Sequence, residues 1–213
     1  MKVIKVLNLY AGIGGNRKLW ENVDVTAVEI DPDIAGVYQD YFPNDKMIIG
    51  DAHQYLLDHF REFDFIWSSP PCPSHSRARF WGMRNKDAIY PDMSLYQEIL
   101  LMSKYYDGYW TVENVNPFYT PLIAPTKKLG RHLFWANFSL PNIEIKEADI
   151  NKGNRKQWQE LHGISIEGYK FKTRTDKILR NCVHPETGLH IFSRAAEIIN
   201  NKPIKQKNLF DTP

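Results

Sequence analysis

Hydrophobic positions come in short runs divided by amphipathic and polar stretches. VIKVLNLY (3–10) is almost continuously apolar and is followed by the glycine-rich AGIGGN. VTAVEI, KMIIGDA and FDFIWSS repeat this pattern downstream. Runs of that length and β-branched content predict strands buried on both faces. Between them, PDIAGVYQDYF (32–42) has helical spacing with Pro32 in its first turn. A second helix is expected at about Gln54–Phe60, and NRKLWENV (16–23) is a further short helix candidate. SLYQEILLMSKYY is amphipathic, with Ser94 as N-cap and Gln97 completing a capping box. YWTVENV and GRHLFWANFSL read as a fifth and sixth strand. Strands alternating with helices predict an α/β fold paired in parallel through crossover helices. Ligands bind such a sheet at the carboxyl ends of its strands.

The remaining segments are less regular. PSHSRARFWGMRNKDAIYPDMS is a long polar loop, and loops of this length are commonly functional. Residues 142–177 are polar and basic without a clear period. ILRNCVHPETGLHIFSRAAEIIN predicts a turn leading into a helix, and NKPIKQKNLFDTP a tail. There is no internal repeat.

Composition narrows the class. The 213 residues are 43% hydrophobic and 24% charged, ordinary for a soluble domain and sufficient for one substantial core. No apolar run approaches a membrane span, so no membrane partner is expected. The apolar stretch in MKVIKVLNLYAG is short for a leader and runs directly into the glycine loop, so it is read as the first strand. With two cysteines, Cys72 and Cys182, a reducing cytoplasm is the expected setting. Net charge is +2 but uneven. Residues 1–126 hold 11 Lys+Arg against 16 Asp+Glu, whereas residues 127–180 hold 12 against 6. That asymmetry fits either a segment touching a polyanion or a solvated basic surface. No His or Cys spacing suits a metal, so none is expected.

Three features carry candidate chemistry. Tyr10-Ala11-Gly12-Ile13-Gly14-Gly15 lets the backbone turn sharply and approach a ligand. Alone it equally fits a ligand-free turn. Glu29, ending the second strand, can bind ribose hydroxyls, and Asp51, after the third, can accept from an adenine amino group. The spacing is not that of a pyrophosphate loop, and an acidic pocket favours a cationic ligand such as S-adenosylmethionine. Tyr10 is placed to stack on its adenine. Pro70-Pro71 cannot extend a central strand, so it turns the chain out and presents the Cys72 thiol at the strand end. The alternative is a small buried cysteine. The basic SHSRAR that follows is expected to lower the thiol pKa. Glu113 ends WTVENV, where it is either a satisfied terminal acid or a partner of the thiol. Thiolate attack at carbon 6 of cytosine makes carbon 5 nucleophilic, and an acid at ring nitrogen 3 eases that attack.

LYAGIGG, AVEIDP, GDAHQYL, SSPPCPSHS, VENV, GRHLFW and RNCVHP, in this order, make the chain resemble the cytosine carbon-5 DNA methyltransferases. The resemblance implies a Rossmann-like α/β sheet with helices on both faces and a very small recognition insert. It implies S-adenosylmethionine as methyl donor and DNA as substrate, with RNA left open and a catalytically inactive nucleic-acid-binding module as the alternative of another class. Cys72 would be the nucleophile, Glu113 the acid at the base's Watson–Crick edge, and Arg131 a neighbour of the flipped cytosine. Cofactor contacts would come from Tyr10, Ala11, Gly12, Gly14, Gly15, Glu29, Ile30, Asp51, Ala52, Pro71, Asn181 and Val183. Nucleic acid would meet Ser74, Ser76, Arg77, Arg79 and Arg84 of the loop after Cys72, whose Phe80 and Trp81 suit the gap left by a flipped base. It would also meet Lys152, Arg155, Lys156, Lys170, Lys172 and Arg174. The implied division is a catalytic and cofactor-binding core at 1–141 and a reduced target-recognition region at 142–177. A returning segment at 178–200 and a tail at 201–213 follow. Pro73 stands where the family usually has glutamine, and the family's paired arginines are reduced to Arg131-His132. The short recognition region predicts a short or relaxed site. A compact enzyme of this kind resembles those of phages and mobile elements, where methylation shields DNA from restriction.

Overall fold

The computed structural model describes residues 2–80, 87–143 and 153–201. Strands β1 (Ile4–Leu9), β2 (Val23–Glu29), β3 (Lys46–Ile49), β4 (Phe65–Ser68) and β5 (Tyr109–Val115) are all parallel. Two more strands, β6 (Lys127–Leu129) and β7 (His132–Ala136), close one edge as an antiparallel hairpin. The order is β3-β2-β1-β4-β5-β7-β6. An all-parallel sheet was expected; the β6–β7 turn at Gly130 (φ 54°) is too short for a crossover, so the chain must return antiparallel. β6, with the sequence KKL, has no apolar run to announce it.

The order reverses between β1 and β4, which opens a crevice at their carboxyl ends. Helices cover both faces. On one, α1 (Pro32–Tyr41) and α6 (Pro185–Asn201) pack Tyr38, Ile191, Phe192 and Ala195 on Val6, Phe65, Trp67 and Phe134. On the other, α2 (Ala52–His59) and α3 (Ser94–Tyr105) pack Leu56, Ile99 and Met102 on Leu7, Leu9, Ile66 and Val112. The alternation within β1 divides Val6 from Leu7, as a doubly covered strand requires.

Two local expectations fail for tertiary reasons. Residues 16–23 form turns leading into β2, not a helix. Trp20 is drawn onto α6, stacked on Phe192 at 5.1 Å with its indole N–H donating to Gly188 O. Such an aromatic pair adds about 1 kcal/mol beyond burial. Arg17 forks onto Asp45 at 2.8 and 3.0 Å, and Asn16 donates to Asn8 Oδ1. These separate anchors outweigh one short helix's propensity. Ser94 is the first residue of α3, with Met93 at the cap. Its hydroxyl donates to Asp92 Oδ1 at 2.7 Å, so the capping box is absent.

The basic region does contain regular structure. α4 (Arg155–His162) begins with a true capping box, Asn154 with Gln157, and ends at Gly163 (φ 61°). α5 (Thr175–Asn181) precedes the turn into α6, so the ILRN half of the expected turn is helical. Trp158, Ile164, Ile166, Ile178 and Leu179 bury together against Ile13 and Val37. This small cluster seats α4 and α5 beside the glycine loop and α1.

Candidate active site

A cavity of about 360 Å³ lies at the strand carboxyl ends. Tyr10, Gly12 and Gly15 line it from the loop after β1, Glu29 and Ile30 from the end of β2, and Pro71 and Cys72 from the turn after β4. Glu113 and Asn114 enter from β5, Arg131 and His132 from the hairpin, and Thr173, Lys177, Asn181 and Val183 from α5 and its flanks.

The thiol is held by the ends of two strands. Asn114, almost fully buried, donates from Nδ2 to Pro70 O at 2.9 Å and accepts Val115 N–H. Asn114 thereby ties the Pro-Pro turn to β5. Cys72 O accepts the N–H groups of His75 and Ser76, which starts a tight turn and leaves the thiol half-buried in the cavity. Burial, with the Glu113 charge adding to it, pushes the Cys72 thiol up. The expectation of a lowered pKa is therefore corrected. The opposing cations are Arg131 and Lys177, not the arginines that follow Cys72 in sequence. Arg77 Nε donates to Pro117 O and Arg79 Nη2 to Asp87 O, so these two guanidinium groups brace the loop.

Glu113 sits on the cavity wall with 6% of its surface exposed. Burial pushes its carboxyl up to about 7; a hydrogen bond from Ser69 and the Arg131 charge offset this in part. His132 Nε2 stands 3.5 Å from Glu113 Oε1. Register explains the contact: His132 lies opposite Val115, on the same sheet face as Glu113. Burial and Arg131 hold His132 well below the usual imidazole range, so it is a neutral neighbour. A carboxyl that keeps its proton near neutrality, beside a thiol, is an arrangement suited to acid-assisted nucleophilic addition.

The loop glycines divide by role. Gly14 (φ 86°) would drive a Cβ to 2.3 Å from Phe42, and Gly15 would drive one to 2.3 Å from Cys182 Sγ. Both permit packing, and Cys182 is buried there with its thiol pushed up to about 12. A Cβ on Gly12 (φ 55°) would meet nothing within 4 Å, so glycine keeps this cavity wall open. Gly12 N–H donates to Glu29 Oε2 at 2.9 Å and Asp31 N–H to Oε1 at 3.0 Å. Two N–H bonds occupy part of the carboxylate's four-fold acceptor capacity, and the remainder suits ribose hydroxyls.

The family follows from sequence comparison. Residues 4–120 match the family model of the C-5 cytosine-specific DNA methylases. The chain belongs to this family. No curated protein matches it in sequence. Among solved structures, it is similar to a DNMT2 variant of Spodoptera frugiperda, with 25% identity and a TM-score of 0.38. That match covers 53% of this chain and 35% of the other. The Entamoeba histolytica methyltransferase EhMeth gives 16% identity and a TM-score of 0.37 over 54% of this chain and 39% of the other. TrmN of Thermus thermophilus gives 17% and 0.36 over 53% and 33%. The chain thus spans about a third of the DNMT2 chain it matches.

In this member of the family the sheet has the Rossmann-like methyltransferase form. The residues expected from sequence fall into groups. Tyr10, Ala11, Gly12, Gly15, Glu29, Ile30, Pro71, Cys72, Glu113, Arg131, Asn181 and Val183 all line the one cavity. Gly14, Asp51 and Ala52 do not; Asp51 caps α2, accepting from the N–H groups of His53 and Gln54. Ser74 is buried, its Oγ accepting Asp92 N–H at 2.9 Å, and Ser76 Oγ accepts Ala78 N–H. Arg155 donates to Ile166 O and Arg174 forks onto Asp176. Lys156 is 4.0 Å from Glu160, and Lys170 and Lys172 are exposed. Trp81, Arg84 and Lys152 lie outside the described residues. Sequence reasoning missed Thr173, Lys177 and His132. Lys177 lies four residues before Asn181 on α5, the one signal that could have placed it on the same helical face, whereas Thr173 precedes the helix.

Proposed function

We propose that the chain is a DNA (cytosine-5-)-methyltransferase using S-adenosylmethionine. The observation that carries this is Glu113, a carboxyl held near neutrality in the same cavity as Cys72 and the Gly12–Glu29 wall. The wall suits the cofactor: Glu29 has acceptor capacity left for a ribose, Gly12 leaves space, and Ile30 offers an exposed apolar face. Tyr10, Asn181 and Val183 would complete the cofactor contacts. When bound, the cofactor supplies the methyl group.

The remaining steps belong to this chain and a cytosine turned out of the duplex. Cys72, as thiolate, adds to carbon 6 while Glu113 delivers its proton to ring nitrogen 3. Carbon 5 then takes the methyl group. Loss of the carbon-5 proton to a base lets the thiolate leave, and return of the nitrogen-3 proton to the Glu113 carboxylate restores the neutral ring. Arg131 and Lys177 favour the thiolate that burial disfavours. The basic exterior of residues 153–177, with Lys156, Lys170 and Lys172 outward, supplies phosphate contacts in a reduced recognition region.

The test is labelled S-adenosylmethionine with unmethylated duplex DNA or with transfer RNA, beside Cys72→Ala, with digested nucleosides read by mass spectrometry. 5-Methyldeoxycytidine that depends on Cys72 is the expected product. 5-Methylcytidine from RNA alone would move the substrate, and no label in either would overturn the proposal.

A further inference from the structure

Glu98 is a fully buried carboxylate with no part in the chemistry above. It projects from α3, and three other segments reach it. The Tyr10 hydroxyl donates to Oε1 at 2.6 Å, Ser68 Oγ donates to Oε2 at 2.5 Å, and His53 Nδ1 lies 3.0 Å from Oε1. One side chain thus gathers the residue after β1, the end of β4 and the first turn of α2. A buried carboxylate is costly unless it is hydrogen-bonded, so these contacts are what make Glu98 tolerable.

Of the three partners, Tyr10 also lines the cavity. Its φ of 53° puts a bulky residue in the left-handed region. Such strain persists only where the surroundings over-determine it. Ala11 N–H donates to Val28 O and fixes the backbone on one side. The Glu98 bond fixes the far end of the ring. Burial and the nearby charges of Glu98, Asp51 and Asp92 push the phenol well above its ordinary range, so the hydroxyl stays a donor.

We propose that Glu98 is a positioning residue for the cofactor. Through the Tyr10 hydroxyl on Oε1 it fixes the orientation of the aromatic wall on which the adenine lies, while Ser68 satisfies the other oxygen, Oε2. This rests on the reading of the cavity as an S-adenosylmethionine site.

Titration calorimetry with S-adenosylhomocysteine, paired with melting curves, separates the two ideas. Tyr10→Phe keeps the ring and removes its tether. Its Kd is expected to rise about tenfold, the scale of one hydrogen bond to a charged group. Ser68→Ala removes a Glu98 partner that does not line the cavity. Its Tm is expected to fall while its Kd stays within about twofold, a split that a purely structural role would not produce. Wild-type protein that binds no S-adenosylhomocysteine would overturn both the cofactor reading and this inference. Wild-type binding with an unchanged Kd for Tyr10→Phe would overturn this inference alone. So would equal weakening in both variants that follows their Tm.

Discussion

Glu113→Gln should make the protein more stable, and increasingly so as pH rises. The folded-state carboxyl is pushed up to about 7 from an ordinary 4.5. The folded state therefore holds the proton more tightly than the unfolded chain. Below pH 4.5 both states are protonated and the site costs nothing. From 4.5 to 7 the cost of a buried charge grows, and above 7 it is fully present. The shift is worth about 3 kcal/mol above neutrality, against about 1 kcal/mol at pH 5. Glutamine mimics the neutral acid at every pH. The stability gap between variant and wild type should widen by about 2 kcal/mol from pH 5 to pH 8. For a chain of this size that is roughly 4–8 °C in Tm. The neighbours do not blur the test: Cys72 is pushed up and stays a thiol, and His132 is held down and stays neutral. Calorimetric melting at pH 5, 6, 7 and 8 reads it directly. A Tm difference that does not change with pH, or that shrinks as pH rises, would refute the assignment of Glu113 as an acid held protonated by burial. The same substitution should lower methyl transfer by about 10²–10⁴-fold, the usual range for a lost general acid.

The Cys72 thiol should alkylate with iodoacetamide more slowly at pH 7 than a free cysteine, and Lys177→Ala should slow it further by removing an opposing cation; peptide mass spectrometry reads the label, and an unchanged rate would remove Lys177 from the site. Gly188→Ala would put a Cβ 2.1 Å from Asn16 O, so a loss of at least about 2 kcal/mol in urea unfolding is expected, and a neutral result would contradict the close approach of α6 to the 16–20 turns. Lys170→Ala with Lys172→Ala should weaken duplex DNA binding and flatten its salt dependence by about two in log–log slope; an unchanged slope would take the α4–α5 segment out of the nucleic-acid surface.

By itself the sequence determined the five parallel strands and the helices expected over 32–42 and 94–106, each within a residue of its observed end, and it set the candidate residues at strand ends. The runs of β1, β4 and β5 are buried on both faces as central strands are, whereas β3, expected to be so, lies at the sheet edge with Lys46 and Ile49 exposed; Pro-Pro after a central run must leave the sheet. Cys72, Glu113 and the glycine loop were legible because each sits where local pattern and chemistry coincide. Tertiary structure decided the rest. The turns at 16–23 depend on partners 28 and 168 residues away, at Asp45 and Gly188. Gly14 and Gly15 look alike in sequence to Gly12, yet only contact with Phe42 and Cys182 makes them packing glycines. The Cys72 thiol is raised rather than lowered because cavity depth and the opposing Glu113 outweigh the cations. Those cations arrive from a distant hairpin and helix, and the neighbouring arginines turn away to backbone carbonyls. Periodicity reports how each segment meets the core. A pKa, a strained tyrosine or a glycine's purpose depends on which remote groups are brought within a few ångströms, and only the folded chain specifies that.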